Sequence, residues 1–406
     1  MNITDAHVRL AEKFIFKQTL MDVPVPDSLK KLVALAFTED EAELVLHLTF
    51  TNKTAAQIAR RAKRPVAEIR PLLESLADRF LITGLKIKGL QTYAFLNFVP
   101  GLFEAQMIRS KNEEHNEESR KFFIRFASLF SEFYEEIMPW IKKSLAGKDF
   151  RFTRIIPVEK SLENTGGIIP HSTDSFLETI DRNNSFCLVP CSCRQEKRLI
   201  GEGCDKPLEV CSAMGWLADF AIDKGLARRV TKNEYIEAKT MAAEAGLVNM
   251  TDNLVNPLQV CSCCSCCCGA LRMLRLHNIP TIVAGSRFEA CVTDEKCTAC
   301  GKCAGMCPMG AVIWEKKCPP VKIDYSRCIG CGLCVTACSQ EKAMSLRERS
   351  DYSPPSKTLL DYYADRYREI NGDNISITQS ITLGAARIIG RISPFSVSGP
   401  GYRPHK

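Results

Sequence analysis

The residues best suited to chemistry in this sequence are its cysteines, 21 among 406 positions. All of them lie between Cys187 and Cys338, and the first 186 residues contain none. Two runs share the spacing Cys-x2-Cys-x2-Cys-x3-Cys. These runs are Cys297, Cys300, Cys303 and Cys307, and then Cys328, Cys331, Cys334 and Cys338. Two-residue gaps let three thiolates converge on one iron–sulfur cube, so the repeated spacing predicts two such cubes.

The repeated runs resemble the bacterial-type ferredoxin domain, a pseudo-symmetric β-α-β repeat, over about residues 288–347. In this arrangement the fourth cysteine of each run ligates the other [4Fe-4S] cluster. Cluster 1 is expected to take Cys297, Cys300, Cys303 and Cys338, and cluster 2 to take Cys328, Cys331, Cys334 and Cys307. Residues 312–314 and 321–324 are predicted strands. Ser339 stands where a proline usually follows the second run. Two zinc sites are the alternative, which the tandem spacing disfavours.

A third set of cysteines precedes these runs with the spacing Cys-x-Cys-x10-Cys-x6-Cys. Its members are Cys191, Cys193, Cys204 and Cys211. Cationic side chains lie among them and could offset an anionic cluster; they are Arg194, Lys197, Arg198 and Lys206. The set predicts one auxiliary [4Fe-4S] cluster. A structural zinc site is the main alternative, because four thiolates also suit tetrahedral zinc.

A fourth set places six cysteines within eight residues. They are Cys261, Cys263, Cys264, Cys266, Cys267 and Cys268. Adjacent residues of a regular strand face opposite ways, so the segment is predicted to be an irregular loop around a metal centre. A helix over 270–276 would direct its positive end towards that centre. Three outcomes stay open: a second auxiliary [4Fe-4S] cluster with spare thiols, a larger or non-standard cluster, or completion of the Cys191 site.

The remaining cysteines, Cys187, Cys291 and Cys318, are predicted to be small buried hydrophobic residues rather than ligands. Over about residues 177–346 the chain resembles anaerobe-type iron–sulfur proteins. In these, a Cys-x-Cys-Arg segment and a cysteine-cluster segment precede a two-cluster ferredoxin domain. The resemblance implies low-potential electron transfer in the cytoplasm, with a redox partner protein that it does not specify.

The N-terminal half must either position the cysteine-rich part or bind it to a partner molecule. Residues 40–49, 54–62 and 66–80 read as helices, and residues 85–96 read as a hairpin turning at Gly89. Three helices followed by two strands resemble a winged helix-turn-helix domain. Between Lys53 and Lys88 the net charge is +6, which suits phosphate contacts. The presumptive recognition helix carries Glu68, Glu74, Asp78 and Pro71, so docking to protein is favoured over reading DNA.

A long helix is predicted over residues 103–145, ended or kinked by Pro139 near Trp140. One face of this helix carries an apolar stripe, which indicates either a side packed in the core or a surface that binds a second copy of the chain. The stripe consists of Phe122, Phe126, Leu129, Phe130 and Phe133. Further helices are predicted over 172–183, 214–224 and 231–245, the last with a capping box from Thr231 to Glu234. The last thirty or so residues indicate an extended or partly disordered arm.

The expected fold class is α+β and multidomain. A winged helix-turn-helix and helical region precede a cysteine-rich region of helices and irregular chain, and a ferredoxin-like domain follows. The predicted domains are a winged-helix-like domain (28–100), a helical linker or dimerisation region (101–186), an auxiliary iron–sulfur region (187–287), the two-[4Fe-4S] ferredoxin domain (288–347) and a C-terminal extension (348–406).

Composition excludes several classes of protein. A hydrophobic content of 45% and a charged content of 25% match a soluble globular chain and exclude general disorder. We expect no membrane span, since no apolar run reaches the roughly 18 residues required. The N-terminus lacks a signal-peptide pattern, and cytosolic thiols stay reduced, so metal ligation explains the cysteines better than disulfides. The formal charge of +7 then balances anionic clusters.

The sequence therefore predicts a cytoplasmic, low-potential electron-transfer protein with three to four iron–sulfur clusters. It would relay electrons between a donor and a partner oxidoreductase, docked through the N-terminal helices as a homodimer or larger complex. One alternative is a reductase with a substrate-binding, non-standard cluster at Cys261–Cys268. The other is an iron–sulfur redox-sensing regulator that binds DNA. No catalytic residue is identified, and an electron-transfer component is favoured over a stand-alone oxidoreductase.

Overall fold

The structure is a computed structural model. It describes residues 2–19, 23–316, 318–339, 343–358 and 361–362, without the side chains of residues 16–19. These residues form two units, one of residues 2–146 with 195–203, and the other of residues 147–194 with 204–362. The predicted C-terminal arm lies outside the described residues beyond position 362.

The first unit is mainly helical. Capping boxes start two of its helices, where Thr38 pairs with Glu41 and Thr54 with Gln57, satisfying free backbone amides. Its elements are α1 (Asp5–Thr19), α2 (Asp27–Ala36), α3 (Glu39–Leu46), β1 (Lys53–Thr54), α4 (Ala55–Ala62), α5 (Val66–Asp78), β2 (Thr83–Ile87), β3 (Leu90–Ala94), α6 (Phe103–Asn112) and α7 (Glu117–Leu145).

A small antiparallel sheet completes the helical unit. Its strand order is β1-β3-β2. The hairpin between β2 and β3 turns at Lys88 and Gly89, which have φ angles of 49° and 80°. Two successive positive φ angles are typical of the tight turns that join twisted antiparallel strands. The predicted hairpin centred on Gly89 is confirmed at this point of the chain.

The predicted single helix over 103–145 is wrong, because the structure divides it into α6 and α7. The first helix ends at Asn112, and Asn116 caps the start of α7 by accepting a hydrogen bond from the Ser119 amide. Of the two outcomes predicted for Pro139, an end of the helix is excluded, because Pro139 lies inside α7, which continues to Leu145. Its last turns bury Ile141 and Leu145, and this packing outweighs the hydrogen bond that the proline removes.

The aromatic stripe of α7 faces the core of the helical unit. Phe126, Phe130 and Phe133 are buried, whereas Phe123 takes the buried place predicted for Phe122. The ring of Phe130 stacks on that of Phe103 with centroids 3.7 Å apart. These contacts show the stripe in its predicted role as core.

The second unit is built on a mixed sheet. Its strand order is β10-β4-β8-β9-β6-β5-β7, and every neighbouring pair except β10 with β4 is antiparallel. Its elements up to the sheet's last strand are β4 (Thr153–Ile155), α8 (Phe176–Asp181), β5 (Phe186–Pro190), α9 (Ser192–Leu199), β6 (Glu209–Met214), α10 (Gly215–Asp223), β7 (Arg228–Val230), α11 (Lys232–Glu244), β8 (Val248–Asp252), β9 (Gln259–Cys263), α12 (Gly269–Arg275) and β10 (Val283–Ala284). From residue 195 onwards, α9 belongs to the first unit.

Aromatic and aliphatic side chains pack α8 and α11 against this mixed sheet. Phe176, Phe186 and Tyr235 lie in one buried cluster with Met214 and Val260. The predicted capping box from Thr231 to Glu234 starts α11. The helix predicted over 172–183 begins only at Phe176, because Ser175 caps it. The core thus fixes β6, β9 and α11 beside one another.

The rest of the second unit is a pair of short antiparallel sheets, β11 with β14 and β12 with β13. Its elements are β11 (Phe288–Val292), α13 (Lys302–Met306), β12 (Val312–Glu315), β13 (Cys318–Ile323), α14 (Leu333–Thr336) and β14 (Met344–Glu348). This order repeats strand, helix, strand twice, as the ferredoxin resemblance implies. Within the described residues, none of the helices is long and apolar enough to cross a membrane.

Candidate metal centres

The eight cysteines of the two runs come together as two groups of four. One cavity is lined by Cys297, Cys300, Cys303 and Cys338. A second is lined by Cys307, Cys328, Cys331 and Cys334. We call these groups the first and second quartets. Each quartet takes three cysteines from one run and the fourth from the other, which is the crossed arrangement that the sequence predicts.

Short helices and tight glycine turns position the quartets. Gly301 and Gly332 immediately precede α13 and α14 with φ angles of 80° and 77°, and Cys303 and Cys334 lie within these helices. Gly330 has a φ of 70°, and a Cβ atom there would lie 1.9 Å from the carbonyl oxygen of Phe288. The loop can therefore approach β11 this closely only with glycine at position 330.

Backbone amides face the quartet sulfurs. The Ala311 amide donates to Cys307 Sγ over 3.2 Å, and the Ala290 amide donates to Cys328 Sγ over 3.5 Å. Burial raises the pKa of Cys331 to about 12, whereas the Lys302 amide lowers the pKa of the exposed Cys300. Iron–sulfur ligands are thiolates, and amide hydrogen bonds to sulfur stabilise them. Four thiols around a cavity with amide donors fit a [4Fe-4S] cluster.

A third group consists of Cys204, Cys264, Cys266 and Cys267, which we call the tetrad. Their four sulfur atoms all lie within 4.8 Å of one another. Cys264 and Cys267 are buried in an apolar cluster with Val210, Ala242 and Leu247, and Cys204 packs against it; Cys266 is exposed. A hydrogen bond from the Cys267 thiol lowers the pKa of Cys264 to about 4. The tetrad is the one group of this compactness among the described residues.

A fourth group contains six thiols, which we call the six-thiol group. Its members, in the order of their contacts, are Cys191, Cys211, Cys261, Cys263, Cys268 and Cys193. Each interacts with the next, and the amides of Ala270 and Leu271 at the start of α12 donate to Cys268. The helix predicted to begin here therefore directs its first amides towards sulfur, as expected.

Two buried cations face the last two groups. Arg194 is fully buried, and its Nη2 donates to Cys264 Sγ over 3.6 Å and to the carbonyl oxygen of Ser262 over 3.2 Å. Burial alone would lower the pKa of the Arg194 guanidinium, but the charges of nearby Cys191 and Cys264 raise it. Burial lowers the pKa of Lys239 to about 8, against the opposing effect of Cys211. A buried charge needs a partner, and anionic metal–thiolate centres would supply one.

The structure corrects the predicted partition of the auxiliary cysteines. Cys204 was expected to join Cys191, Cys193 and Cys211, but its sulfur lies against the 264–267 turn instead. The 261–268 segment is also not irregular throughout, since Cys261 and Cys263 belong to β9. Strand alternation sends these two side chains to one face, and the turn after β9 sends Cys264, Cys266 and Cys267 to another. Sequence spacing carries no signal for this division.

The isolated cysteines differ from one another. Cys187 is fully buried, and burial raises its pKa to about 11, as expected for a small core residue. Cys291 is half-buried and its sulfur lies 3.0 Å from Ser345 Oγ. Cys318 is exposed, so the prediction of a buried side chain is wrong there. It stands at the start of β13, where the first two residues are both exposed and the strand becomes buried only at Val321.

Fold and quartets together define a ferredoxin-like iron–sulfur domain. The 4Fe-4S dicluster domain family matches residues 296–342. The pyruvate synthase subunit PorD of Methanocaldococcus jannaschii is 38% identical over 61 residues, which are 15% of this chain and 70% of that subunit. The chain therefore belongs to the family of ferredoxin-like proteins that carry a 4Fe-4S dicluster domain.

A second relative matches a shorter stretch. The uncharacterized ferredoxin-like protein YdhY of Escherichia coli K12 is 42% identical over 48 residues, or 11% of this chain. The chain spans about a quarter of that relative's length, 23%. No solved structure matches the chain. The predicted ferredoxin domain is confirmed as an iron–sulfur, electron-transfer domain by these comparisons, which cover a small part of the sequence.

Proposed function

We propose that this protein relays electrons between a donor and a partner oxidoreductase through at least three iron–sulfur clusters. The observation that carries the proposal is the pair of cavities, each lined by four cysteines drawn crosswise from the two runs. Cys297, Cys300, Cys303 and Cys338 would hold one [4Fe-4S] cluster, and Cys307, Cys328, Cys331 and Cys334 the other. When bound, such a cluster accepts and releases a single electron.

The chain's own groups would set how readily the clusters accept an electron. Amides from Ala290 and Ala311 donate to ligand sulfurs and stabilise the extra negative charge of a reduced cluster. Cys303, Cys331 and Cys334 are buried, which keeps water from the clusters and favours the less charged state. The quartets share one apolar core with Phe288 and Leu346, so the two centres lie in one rigid domain.

The six-thiol group would hold the third cluster. Four of its six cysteines suffice for a cube, with one thiolate for each iron. Lys239 donates to two carbonyl oxygens and to Ser262 Oγ within 3.1 Å, so its charge is held beside Cys211, Cys261 and Cys263. A fixed positive charge next to an anionic cluster stabilises its binding and its reduction.

The helical unit would dock the partner. The order α3-β1-α4-α5-β2-β3 with sheet order β1-β3-β2 supports a winged helix-turn-helix assignment. On α5 the exposed side chains include Glu68, Arg70, Glu74 and Asp78, an acidic excess that would repel nucleic-acid phosphates. This surface supports protein docking over DNA reading.

One relative supports a partner complex, which we expect in the cytoplasm. PorD is by name a subunit of pyruvate synthase, and it is 38% identical to this chain over 61 residues. By analogy, the dicluster domain here would exchange electrons with an oxidoreductase subunit. Co-purification from the source cells would identify the partner.

Counting delivered electrons tests the proposal. Anaerobically purified protein is reduced with a low-potential viologen, freed of excess reductant, and mixed with oxidised cytochrome c in a stopped-flow spectrophotometer. We expect at least three electrons per chain, one from each cluster. Cys331→Ser should deliver one fewer and lose about four irons, since one thiolate of the second quartet is gone. Cys318→Ser, which changes an exposed cysteine outside every group, should match the wild type. Delivery of fewer than three electrons by the wild type would contradict the proposal.

A further inference from the structure

The tetrad differs from the other cysteine groups in how closely its sulfurs approach one another. Cys204 Sγ lies 3.8 Å from the sulfurs of both Cys264 and Cys267, and Cys267 Sγ lies 3.8 Å from that of Cys266. All four are mutually within 4.8 Å. In contrast, no three thiols of the quartets or of the six-thiol group form such a compact set among the described residues.

This separation matches four ligands around a single ion. Zinc binds thiolate sulfur at about 2.3 Å in a tetrahedron, whose edge is then about 3.8 Å. In an iron–sulfur cube each thiolate binds a different iron, so the ligand sulfurs are held farther from the centre and from one another. The open quartets fit cubes, and the compact tetrad does not.

We propose that Cys204, Cys264, Cys266 and Cys267 bind one zinc ion as a closed, structural tetrathiolate site. Four thiolates around one zinc ion form a centre with two negative charges. No ligand position remains for water, as is typical of structural zinc. This inference is independent of the proposed electron transfer, because zinc has no redox chemistry.

The surroundings of the tetrad support a zinc centre. The Cys204 amide donates to Cys267 Sγ, and the Cys267 amide donates to Cys264 Sγ. Arg194 adds a charged donor to Cys264 Sγ while also holding the Ser262 carbonyl, which lies in β9. Such outer hydrogen bonds orient and stabilise metal ligands. The ion would tie the loop at Cys204 to the turn after β9 and so keep the six-thiol group in place.

Zinc spectroscopy of the unaltered protein tests the proposal first. Anaerobically purified full-length protein should contain one zinc per chain by elemental analysis. X-ray absorption at the zinc edge should show four sulfur neighbours at about 2.3 Å. Absence of zinc, with additional iron in its place, would overturn the proposal, as would zinc with nitrogen or oxygen neighbours.

Variants locate the ion. Cys204→Ser and Cys267→Ser should lose the zinc and keep the iron of the quartets, whereas Cys318→Ser should keep both metals. Loss of about four irons with zinc unchanged would show that the tetrad holds a cube, and loss of neither metal would show that it holds none. Failure of the proposed electron transfer would instead appear as missing iron in the quartets with zinc present.

Cysteine reactivity provides a test that needs no variant. Cys266 and Cys318 are both exposed. In the zinc-bound protein, iodoacetamide should modify Cys318 and spare Cys266, and a zinc chelator should make Cys266 reactive. Mass spectrometry of the digested protein measures both sites in one sample. Equal modification of Cys266 before and after chelation would contradict a thiolate bound to zinc.

Discussion

Replacement of Gly330 by alanine should selectively loosen the cluster of the second quartet. Gly330 lies between Cys328 and Cys331 with a φ of 70°, and its Cβ position is 1.9 Å from the carbonyl oxygen of Phe288. That oxygen is backbone in β11, and Ser286 Oγ lies 2.3 Å from the same position. The Phe288 carbonyl oxygen cannot move aside without shifting the strand that carries the Ala290 amide.

The size of the effect follows from two contributions. A left-handed conformation disfavours alanine by about 1–2 kcal/mol. Overpacking against fixed atoms adds about 1–3 kcal/mol. The sum is about 2–5 kcal/mol in favour of an opened loop, and each 1.4 kcal/mol is a factor of ten. We therefore expect iron to leave the second quartet at least about ten times faster in Gly330→Ala.

The assay is iron release to a coloured chelator under anaerobic conditions, followed as absorbance against time. Gly305→Ala is the matched control, because it changes a glycine of the same domain in α13 where an added Cβ meets nothing within 4 Å. The control should release iron as the wild type does, since alanine favours a helix. Equal release rates for Gly330→Ala and wild type would refute the close-approach reasoning.

Two further predictions concern buried charges. Lys239→Met removes the ammonium that donates to three buried oxygens, of which the Val260 carbonyl keeps a hydrogen bond from Ser212 Oγ. At about 0.5–1.5 kcal/mol for each lost hydrogen bond, the protein should lose about four irons from the six-thiol group by elemental analysis. Lys232→Met, at an exposed position of the same helix, should not lose them. Burial raises the pKa of Glu104 from 4.5 to about 7, so the folded state takes up its proton more readily than the unfolded state, and stability falls as the pH rises from 4.5 through 7. Between pH 6 and 8 the free energy of unfolding of the helical unit should fall by about 1 kcal/mol in the wild type and stay level in Glu104→Gln. Urea titration at each pH measures this free energy. If it falls with pH as steeply in the variant as in the wild type, Glu104 is not the cause of the pH dependence.

The quartets were predictable because their ligands are set by local spacing. Each run places its first three cysteines on one loop and one helical turn. The fold then has only to bring the fourth cysteine of each run to the first three of the other. The crossed placement of Cys307 and Cys338 follows from the pseudo-symmetric repeat that the sequence itself displays. For this reason the spacing of eight residues was enough to anticipate both cavities.

The auxiliary groups were not predictable in this way. Their grouping depends on the pairing of β6 with β9 and on which face of β9 each cysteine occupies. Strand pairing between residues about 50 positions apart leaves no trace in the spacing of Cys191, Cys193, Cys204 and Cys211. Likewise, the continuation of α7 beyond Pro139 depends on tertiary packing, which a local rule for proline does not contain.

The most direct test of the central claim is a crystal structure of the anaerobically purified protein, with anomalous scattering data on both sides of the iron absorption edge. We predict a four-iron centre in each quartet, bound by Cys297, Cys300, Cys303 and Cys338, and by Cys307, Cys328, Cys331 and Cys334. Single-ion peaks in the quartets, or quartet peaks that do not strengthen when the X-ray energy crosses the iron edge, would contradict the assignment of an iron–sulfur electron carrier.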